Sequence, residues 1–90
     1  MSGRTLLAWN LRTLRTGLGL SQERLAVDAE VDRTWVSELE RGLGNTSVDL
    51  LDRLANALGV PIADLFRAVP EDAGTPPPLP GGRKAAKSIR

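Results

Sequence analysis

One stretch constrains the fold of this chain more than any other, the run SQERLAVDAEVDRTWVSELERG from Ser21 to Gly42. It consists of two short amphipathic segments separated by a tight break. Ser21 and Asp32 are good helix N-caps, and each precedes one of the segments. The inner face of the first segment consists of Leu25, Ala26 and Ala29. Small side chains let another helix approach closely, so the stretch predicts two short helices packed across a turn.

The second segment turns its polar residues outward. We predict a helix from Arg33 to Arg41, in which Val36 and Leu39 are three positions apart and point inward. The outward positions are then Thr34, Ser37, Glu38 and Arg41, with Arg33 and Trp35 on the flanks. Because these polar side chains have little reason to be buried, we interpret the segment as a helix presented to a partner. It would be the second helix of a helix-turn-helix unit.

Apolar periodicity predicts three further helices. The first covers residues 4–17, and its leucine stripe consists of Leu7, Leu11, Leu14 and Leu18. Ser47 caps a fourth helix from Val48 to Leu58, which Gly59 ends. A short fifth helix, PIADLF, begins at Pro61. We therefore expect an all-α fold, a compact five-helix domain.

Composition limits the chemistry that this chain can perform. Its 90 residues include no cysteine and no histidine. Disulfides and thiolate metal sites are excluded, and the usual general base is missing. We find no nucleophile–base pair, no metal-ligand cluster and no phosphate-cradling glycine loop. The expectation is a soluble, cytoplasmic protein that is not an enzyme and needs no cofactor, no metal, no membrane and no small-molecule substrate.

Charge is divided unevenly along the chain. Residues 1–69 contain eight arginines against nine acidic residues, whereas residues 70–90 contain four basic residues against two acidic ones. The expected domain is thus slightly negative, and the overall charge of +1 comes from the remaining residues. A DNA-binding protein usually carries a positive surplus on its binding face. This domain could do so only by clustering its arginines.

The composition changes at Pro70. The run EDAGTPPPLPGG is rich in proline and glycine, and RKAAKSIR closes the chain. We expect a helix-turn-helix domain over residues 1–69 and a disordered tail over residues 70–90 that ends in a basic segment. The basic segment would either stay solvated or add non-specific contacts to phosphates.

The outward residues of the third helix suit the reading of bases. An α-helix fits the major groove of DNA. There Arg33 can donate to guanine, Thr34 can bond a base edge or touch a thymine methyl, and Glu38 can accept from cytosine N4. Ser37 can bond a base or a phosphate. We therefore predict Arg33, Thr34, Ser37 and Glu38 as base-contacting residues.

A second set of residues is predicted to contact phosphates. Gln22 stands at the N-terminus of the second helix, where backbone N–H groups also favour an anion. Arg41 and Asn45 lie at and just beyond the end of the third helix. Trp35, on the flank of that helix, completes the predicted phosphate-contacting set.

Three segments carry a resemblance to a known family. They resemble the phage-repressor and Cro-like helix-turn-helix regulators, the xenobiotic-response-element class. The three segments are LRTLRTGLGLSQERLA, VDRTWVSELERG and NTSVDLLDRLANALGVPIADLF. The match covers about residues 7–66. It implies a compact five-helix domain that binds double-stranded operator DNA, usually as a two-fold dimer.

The resemblance also implies roles for individual residues. Gln22 would hold a phosphate, while the four outward residues predicted above would face bases. Arg15 and Glu40 match positions that pair as a partly buried salt bridge between the first and third helices. These two residues are therefore expected to stabilise the fold.

Several positions depart from the family's pattern. Glu30 stands where the turn usually has glycine, and a left-handed backbone there would cost about 1 kcal/mol. Gly44 replaces a residue that is often basic, and Thr46 replaces one that is often proline. Glu38 occupies a position that is often basic or amide-bearing. Each departure weakens general attraction to phosphates, so binding would depend more on specific contacts or on dimerisation.

The first functional hypothesis is a sequence-specific transcriptional regulator of bacterial type, a repressor or autoregulator that binds a palindromic operator as a homodimer. Its size suits a stand-alone regulator, such as the controller proteins of restriction-modification systems or of mobile elements.

The second hypothesis is a protein-binding module, an antitoxin or an antagonist of a transcription activator, with or without DNA binding as a second activity. Three apolar residues near the end of the expected domain either close the core or form a dimer or protein interface. They are Ile62, Phe66 and Val69. Trp9 lies opposite the leucine stripe of the first helix. It either packs against another part of the domain or anchors a protein partner.

Overall fold

The computed structural model describes residues 1–70 and contains four α-helices and one 3-10 helix. The elements are α1 (Gly3–Gly17), α2 (Gln22–Ala29), α3 (Arg33–Glu40), α4 (Val48–Leu58) and a 3-10 helix (Ile62–Phe66). Residues 1–70 contain no strand, so the all-α expectation is confirmed. The expected tail of residues 70–90 lies, beyond Pro70, outside the described residues.

The helix ends lie close to the predicted positions because the capping side chains act locally. The Oγ of Ser21 accepts a hydrogen bond from the Arg24 amide at 2.9 Å. The Oδ1 of Asp32 accepts one from the Thr34 amide at 3.2 Å, and the Oγ of Ser47 caps α4 in the same manner. Each of these bonds satisfies an amide that the first turn of a helix leaves without a partner.

The last helix differs from the expectation in type. Its five residues form a 3-10 helix, which begins with a hydrogen bond from the Asp64 amide to the Pro61 carbonyl at 2.9 Å. So short a segment gains little from α-helical bonding, and the tighter turn is the usual form of such pieces. The segment still closes the core, because Leu65 is fully buried.

A single apolar core holds these elements together. The side chains at its centre come from all five elements: Leu11, Leu25, Val36, Leu54 and Leu65. Helix α1 packs against α3 and the 3-10 helix, while α2 packs against α3 and α4. The two helices of the helix-turn-helix unit are thereby supported from opposite sides.

The prediction that Leu18 belongs to the buried stripe of the first helix is wrong. Leu18 is 56% exposed, because α1 ends at Gly17 and Leu18 is its C-cap residue. The helical period no longer applies beyond that point, so the side chain turns away from the core.

Asn10 makes a buried polar connection that was not predicted from the sequence. Its Nδ2 donates to the Leu6 carbonyl at 3.0 Å and to the Arg67 carbonyl at 2.8 Å. The second bond fastens the chain that leaves the 3-10 helix to the side of α1. Both amide hydrogens of a buried side chain are thus satisfied.

The turn between α2 and α3 keeps a left-handed residue although no glycine is present. Glu30 has φ 60° and ψ 47°, and it is the only non-glycine residue of the described chain with positive φ. The amide of Val31 donates to the Ala26 carbonyl at 2.9 Å and so closes the end of α2. Arg53 of α4 donates to the Glu30 carbonyl at 3.2 Å. These contacts hold Glu30 in a conformation that costs a side-chain-bearing residue about 1 kcal/mol.

We expect Glu30→Gly to stabilise the fold. Relief of the left-handed strain raises the free energy of unfolding, and the greater freedom of glycine in the unfolded chain offsets part of the gain. The net expectation is an increase of about 0.5–1 kcal/mol, measured by urea unfolding.

Glu30→Gln is the matched control, because it removes the charge and keeps the strain. Its free energy of unfolding should stay within about 0.5 kcal/mol of the original chain. Equal unfolding midpoints for the glycine and glutamine variants would show that the strain at Glu30 does not exceed the entropic cost of glycine.

Candidate nucleic-acid interface

A polar groove of about 490 Å³ lies where the C-terminal half of α1, the start of α2 and the outward side of α3 meet. Its lining residues are Arg12, Arg15, Ser21, Gln22, Glu23, Arg33, Ser37, Glu40 and Arg41. Four arginines and two glutamates give it a surplus of two positive charges. Since residues 1–69 carry a negative surplus, the structure does cluster arginines on one face.

The groove brings together part of the predicted site. Gln22, Arg33, Ser37 and Arg41 all line it. Arg33 and Ser37 are one helical turn apart, so their side chains share one side of α3. The first turn of α2 contributes Ser21 to the same groove, and the amides of that turn carry the positive end of the helix dipole.

Arg12 was missed by sequence reasoning. In the structure it is half-buried and lines the groove together with Gln22 and Arg33. Only the packing of α1 against α3 brings it there, so the local sequence held no signal for it.

The remaining predicted base-contacting residues lie outside the groove lining. Thr34 is exposed in the first turn of α3. Glu38 is half-buried and faces the loop between α3 and α4, where a Cβ added to Gly44 would lie 3.8 Å from its Oε1. Thr34 and Glu38 therefore stay predicted base contacts.

Two of the predicted phosphate contacts, Trp35 and Asn45, lie next to each other outside the groove lining. Trp35 packs partly against the core, and its indole N–H donates to the Asn45 carbonyl at 3.4 Å. Asn45 is exposed in the loop that follows α3. The Trp35 indole is therefore already engaged, and a phosphate would compete with a long hydrogen bond.

Gln22 is held from behind by Glu40. The Gln22 Nε2 donates to Glu40 Oε1 at 3.1 Å. A carboxylate only accepts, so the NH₂ end of the amide must face Glu40 and its oxygen must face away. One N–H of Gln22 remains for a phosphate.

The salt bridge implied for Arg15 and Glu40 is present and buried. The Nε of Arg15 lies 2.5 Å from Glu40 Oε2, and its Nη2 donates to Oε1 at 2.8 Å. Both side chains are 3% exposed. The third nitrogen of Arg15 donates to the Leu20 carbonyl at 2.7 Å. This two-point geometry joins α1 to α3 and lies directly beneath the groove.

The residues predicted for a dimer or protein interface lie at mixed depths. Phe66 is 40% exposed, while Ile62, Val69 and Trp9 are half-buried. Ile62 packs against the core, which fits the core-closing alternative for that residue. The Trp9 indole nitrogen is buried and has no hydrogen-bond partner among the described residues.

Residues 1–70 contain no group of three or more His, Cys, Asp or Glu side chains that could together hold a metal ion. None of their helices is long and apolar enough to cross a membrane.

Comparison with known proteins gives the family. A family model described as a helix-turn-helix domain matches residues 6–68. The chain belongs to the helix-turn-helix family of transcription regulators. The expected resemblance is therefore confirmed, and the match covers all five helical elements except the first residues of α1.

Two curated relatives illustrate the similarity. A hypothetical transcription factor of Neisseria meningitidis is 44% identical over 57 residues, which is 63% of this chain and 54% of the relative. The chain thus spans about half the length of that relative. The control protein C.BamHI of Bacillus amyloliquefaciens is 38% identical over 64 residues, which is 70% of this chain and 79% of the relative.

Solved structures agree with this assignment. The hypothetical transcription factor NHTF from Neisseria matches with a TM-score of 0.71 and 39% identity over 73% of the regulator and 76% of its own chain. The restriction-modification controller protein C.AhdI from Aeromonas hydrophila matches with a TM-score of 0.68 and 41% identity, over 70% and 96% of the two chains.

We expect Glu40→Gln to destabilise the regulator strongly. The substitution leaves the Arg15 guanidinium buried without its anionic partner, which costs about 3–5 kcal/mol of unfolding free energy. The double variant Arg15→Met/Glu40→Leu removes both charges, and it should recover most of that loss. Urea unfolding measures both.

Asp28→Asn is the control for this experiment. It breaks an ion pair with Arg24, whose side chain is 67% exposed. Such a pair contributes about 0.3–0.5 kcal/mol, so unfolding should hardly change. An equally small effect of Glu40→Gln would refute the structural importance of the buried pair.

Proposed function

We propose that this regulator is a sequence-specific repressor or autoregulator that binds a palindromic operator as a homodimer, with α3 in the major groove. The observation that carries the proposal is the positive groove beside α3 on an otherwise slightly negative domain. Phosphates on either side of the major groove would be attracted to this face.

Base recognition is assigned to the outward side of α3. Arg33, at the start of the helix, has the planar guanidinium that pairs with guanine O6 and N7. Ser37 follows one turn later along the same groove. Thr34 would contact a base edge or a thymine methyl, and Glu38 would accept from cytosine N4. Glu38 would also repel phosphates, so it favours selectivity over general affinity.

Backbone contacts are assigned to the groups that surround the groove. Gln22 would use its remaining N–H together with the first amides of α2. Arg41 and Arg12 carry charges at the groove, whereas Trp35 and Asn45 are hydrogen-bonded to each other outside its lining. Trp35 would share its indole N–H between the Asn45 carbonyl and a phosphate.

Dimerisation would supply the affinity that one small domain lacks. One recognition helix contacts few base pairs, and two copies would read half-sites about 34 Å apart on one side of the duplex. Phe66, with support from Ile62, Val69 and Trp9, is proposed as the apolar contact between copies. Phe66 exposes 40% of its surface beside the apolar side chains of Leu7, Leu39 and Leu51.

Two of the relatives reported above are named control or controller proteins, which supports a regulatory role. As an autoregulator, this regulator would act on the DNA immediately upstream of its own gene. Binding to that duplex and to a scrambled duplex should be compared across a salt series. Equal affinity for both at every salt concentration would refute sequence-specific binding.

Arg33→Ala should weaken binding to the upstream duplex by about 1–3 kcal/mol, roughly 5- to 150-fold in Kd. The loss should be smaller for duplexes in which the contacted guanine is already replaced, because the contact is then absent in both proteins. Fluorescence anisotropy with labelled duplexes measures it.

Arg53→Ala is the charge-matched control for Arg33. Arg53 lies on α4 and contacts the Glu30 carbonyl rather than the groove. The affinity of the Arg53→Ala variant for the upstream duplex should fall by less than about threefold once protein stability is matched. If both variants lose the same affinity on every duplex, Arg33 contributes only charge and reads no base.

Phe66→Ala should weaken self-association. The exposed part of the ring is worth about 1 kcal/mol in each copy, so the dimer Kd should rise roughly 10- to 30-fold. Val48→Ala is the control, because Val48 is 67% exposed on α4. Sedimentation equilibrium measures the dimer Kd of both variants. If the dimer Kd of Phe66→Ala equalled that of the original protein, Phe66 would not belong to the interface.

The protein-binding alternative predicts a different outcome for the same variant. If Phe66→Ala left self-association and DNA binding intact but abolished capture of another protein, the apolar surface would belong to that partner. Trp9→Ala provides the second test of this alternative, since a tryptophan anchor would contribute strongly to such an interface.

A further inference from the structure

We propose that Arg4 is a positioning residue for DNA binding, which orients the Asn45 amide so that its NH₂ group faces the phosphates. This inference rests on the proposed function. Arg4 lies in the first turn of α1, before the residues that match the family model. It was not singled out in the sequence.

The side chain of Arg4 reaches the loop after α3, about 40 positions along the chain. Its Nε donates to the Gly44 carbonyl at 2.8 Å, and its Nη2 donates to Asn45 Oδ1. Two nitrogens of one planar guanidinium thus contact two neighbouring residues. A flexible ammonium group would not reproduce this fork.

The direction of the Asn45 amide follows from the chemistry of its partner. Arginine has only donors, so the atom that faces it must be the amide oxygen. The Nδ2 group, with two hydrogens, is then the free end of an exposed side chain. An N–H donor at this place is the group that a phosphate oxygen requires.

The backbone of the loop is held by the same arrangement. Gly44 has a left-handed backbone with φ 78°. The Asn45 carbonyl accepts from the Trp35 indole at 3.4 Å. The loop is therefore fastened to α1 on one side and to α3 on the other. Gly44 brings no basic side chain of its own, and Arg4 brings a guanidinium to the loop from α1.

The first measurement uses the free protein and does not depend on DNA. Arg4→Ala should shift the side-chain NH₂ resonances of Asn45 in ¹⁵N spectra. It should also lower the backbone ¹⁵N order parameters of Gly44 and Asn45, because the loop loses its contacts with α1. Arg67→Ala is the charge-matched control, because Arg67 pairs with Asp64 and does not touch the loop. Unchanged resonances and order parameters in Arg4→Ala would overturn the proposed orientation.

The second measurement is the affinity for the upstream duplex. Arg4→Ala should raise Kd about 3- to 10-fold, and Arg4→Lys should raise it nearly as much, since lysine keeps the charge but loses the fork. Asn45→Asp keeps an oxygen for Arg4 but removes the NH₂ donor, and it should weaken binding at least as strongly. Full affinity in Arg4→Lys would overturn the proposal, because Arg4 would then act as a charge.

The third measurement separates positioning from direct contact. In an Asn45→Ala background, Arg4→Ala should cause no further loss of affinity, because its effect passes through the Asn45 amide. The salt slope of log K should change by clearly less than the 0.9 or so expected for one lost ionic phosphate contact. A full additional loss, or a slope change of that size, would overturn the proposal in favour of direct contact. If the original protein bound no DNA, the proposed function would fail, while the free-protein measurement would still test the loop contact.

Discussion

The fold depends most on one carboxylate, that of Glu40. It receives two hydrogen bonds from Arg15 of α1 and one from Gln22 of α2, while its own backbone belongs to α3. Three helices are therefore fixed to one another at a single buried point. Burial of this charge is costly, and the guanidinium compensates for it only while the two-point geometry holds. The angle between α2 and α3, on which any docking of α3 depends, is consequently set by a polar contact as much as by the apolar core.

The charge distribution explains how a slightly negative domain can still suit DNA. The groove has a positive surplus, whereas acidic residues such as Asp28 and Asp49 lie on other exposed surfaces. Screening reduces interactions between exposed charges beyond about 8–10 Å at moderate salt, so the nearby arginines dominate what a phosphate experiences. A weak total charge also lowers non-specific binding. The arrangement favours a regulator that finds its site through specific contacts.

The sequence predicted the helices well because the signals that end helices are local. Ser21, Asp32 and Ser47 cap the helices that follow them, and each acts on an amide two or three positions away. The left-handed turn at Glu30 was implied only by the family resemblance, since glutamate itself argues against it. Leu18 was misassigned because a period says nothing about where the helix stops.

The contacts that sequence reasoning missed join distant parts of the chain. Arg4 reaches the loop at Gly44, Asn10 reaches the Arg67 carbonyl, and Arg12 joins the groove through the packing of α1.

The consequence of these long-range contacts is clearest for Asn45 and Gln22, the two amide side chains that the sequence assigned to phosphate contacts. Arginine turns the NH₂ group of Asn45 outward, whereas the Glu40 carboxylate turns the oxygen of Gln22 outward. In the proposed complex, Asn45 would thus be the better phosphate donor. Gln22 would keep one N–H for a phosphate, and its outward oxygen would be able to accept from adenine N6.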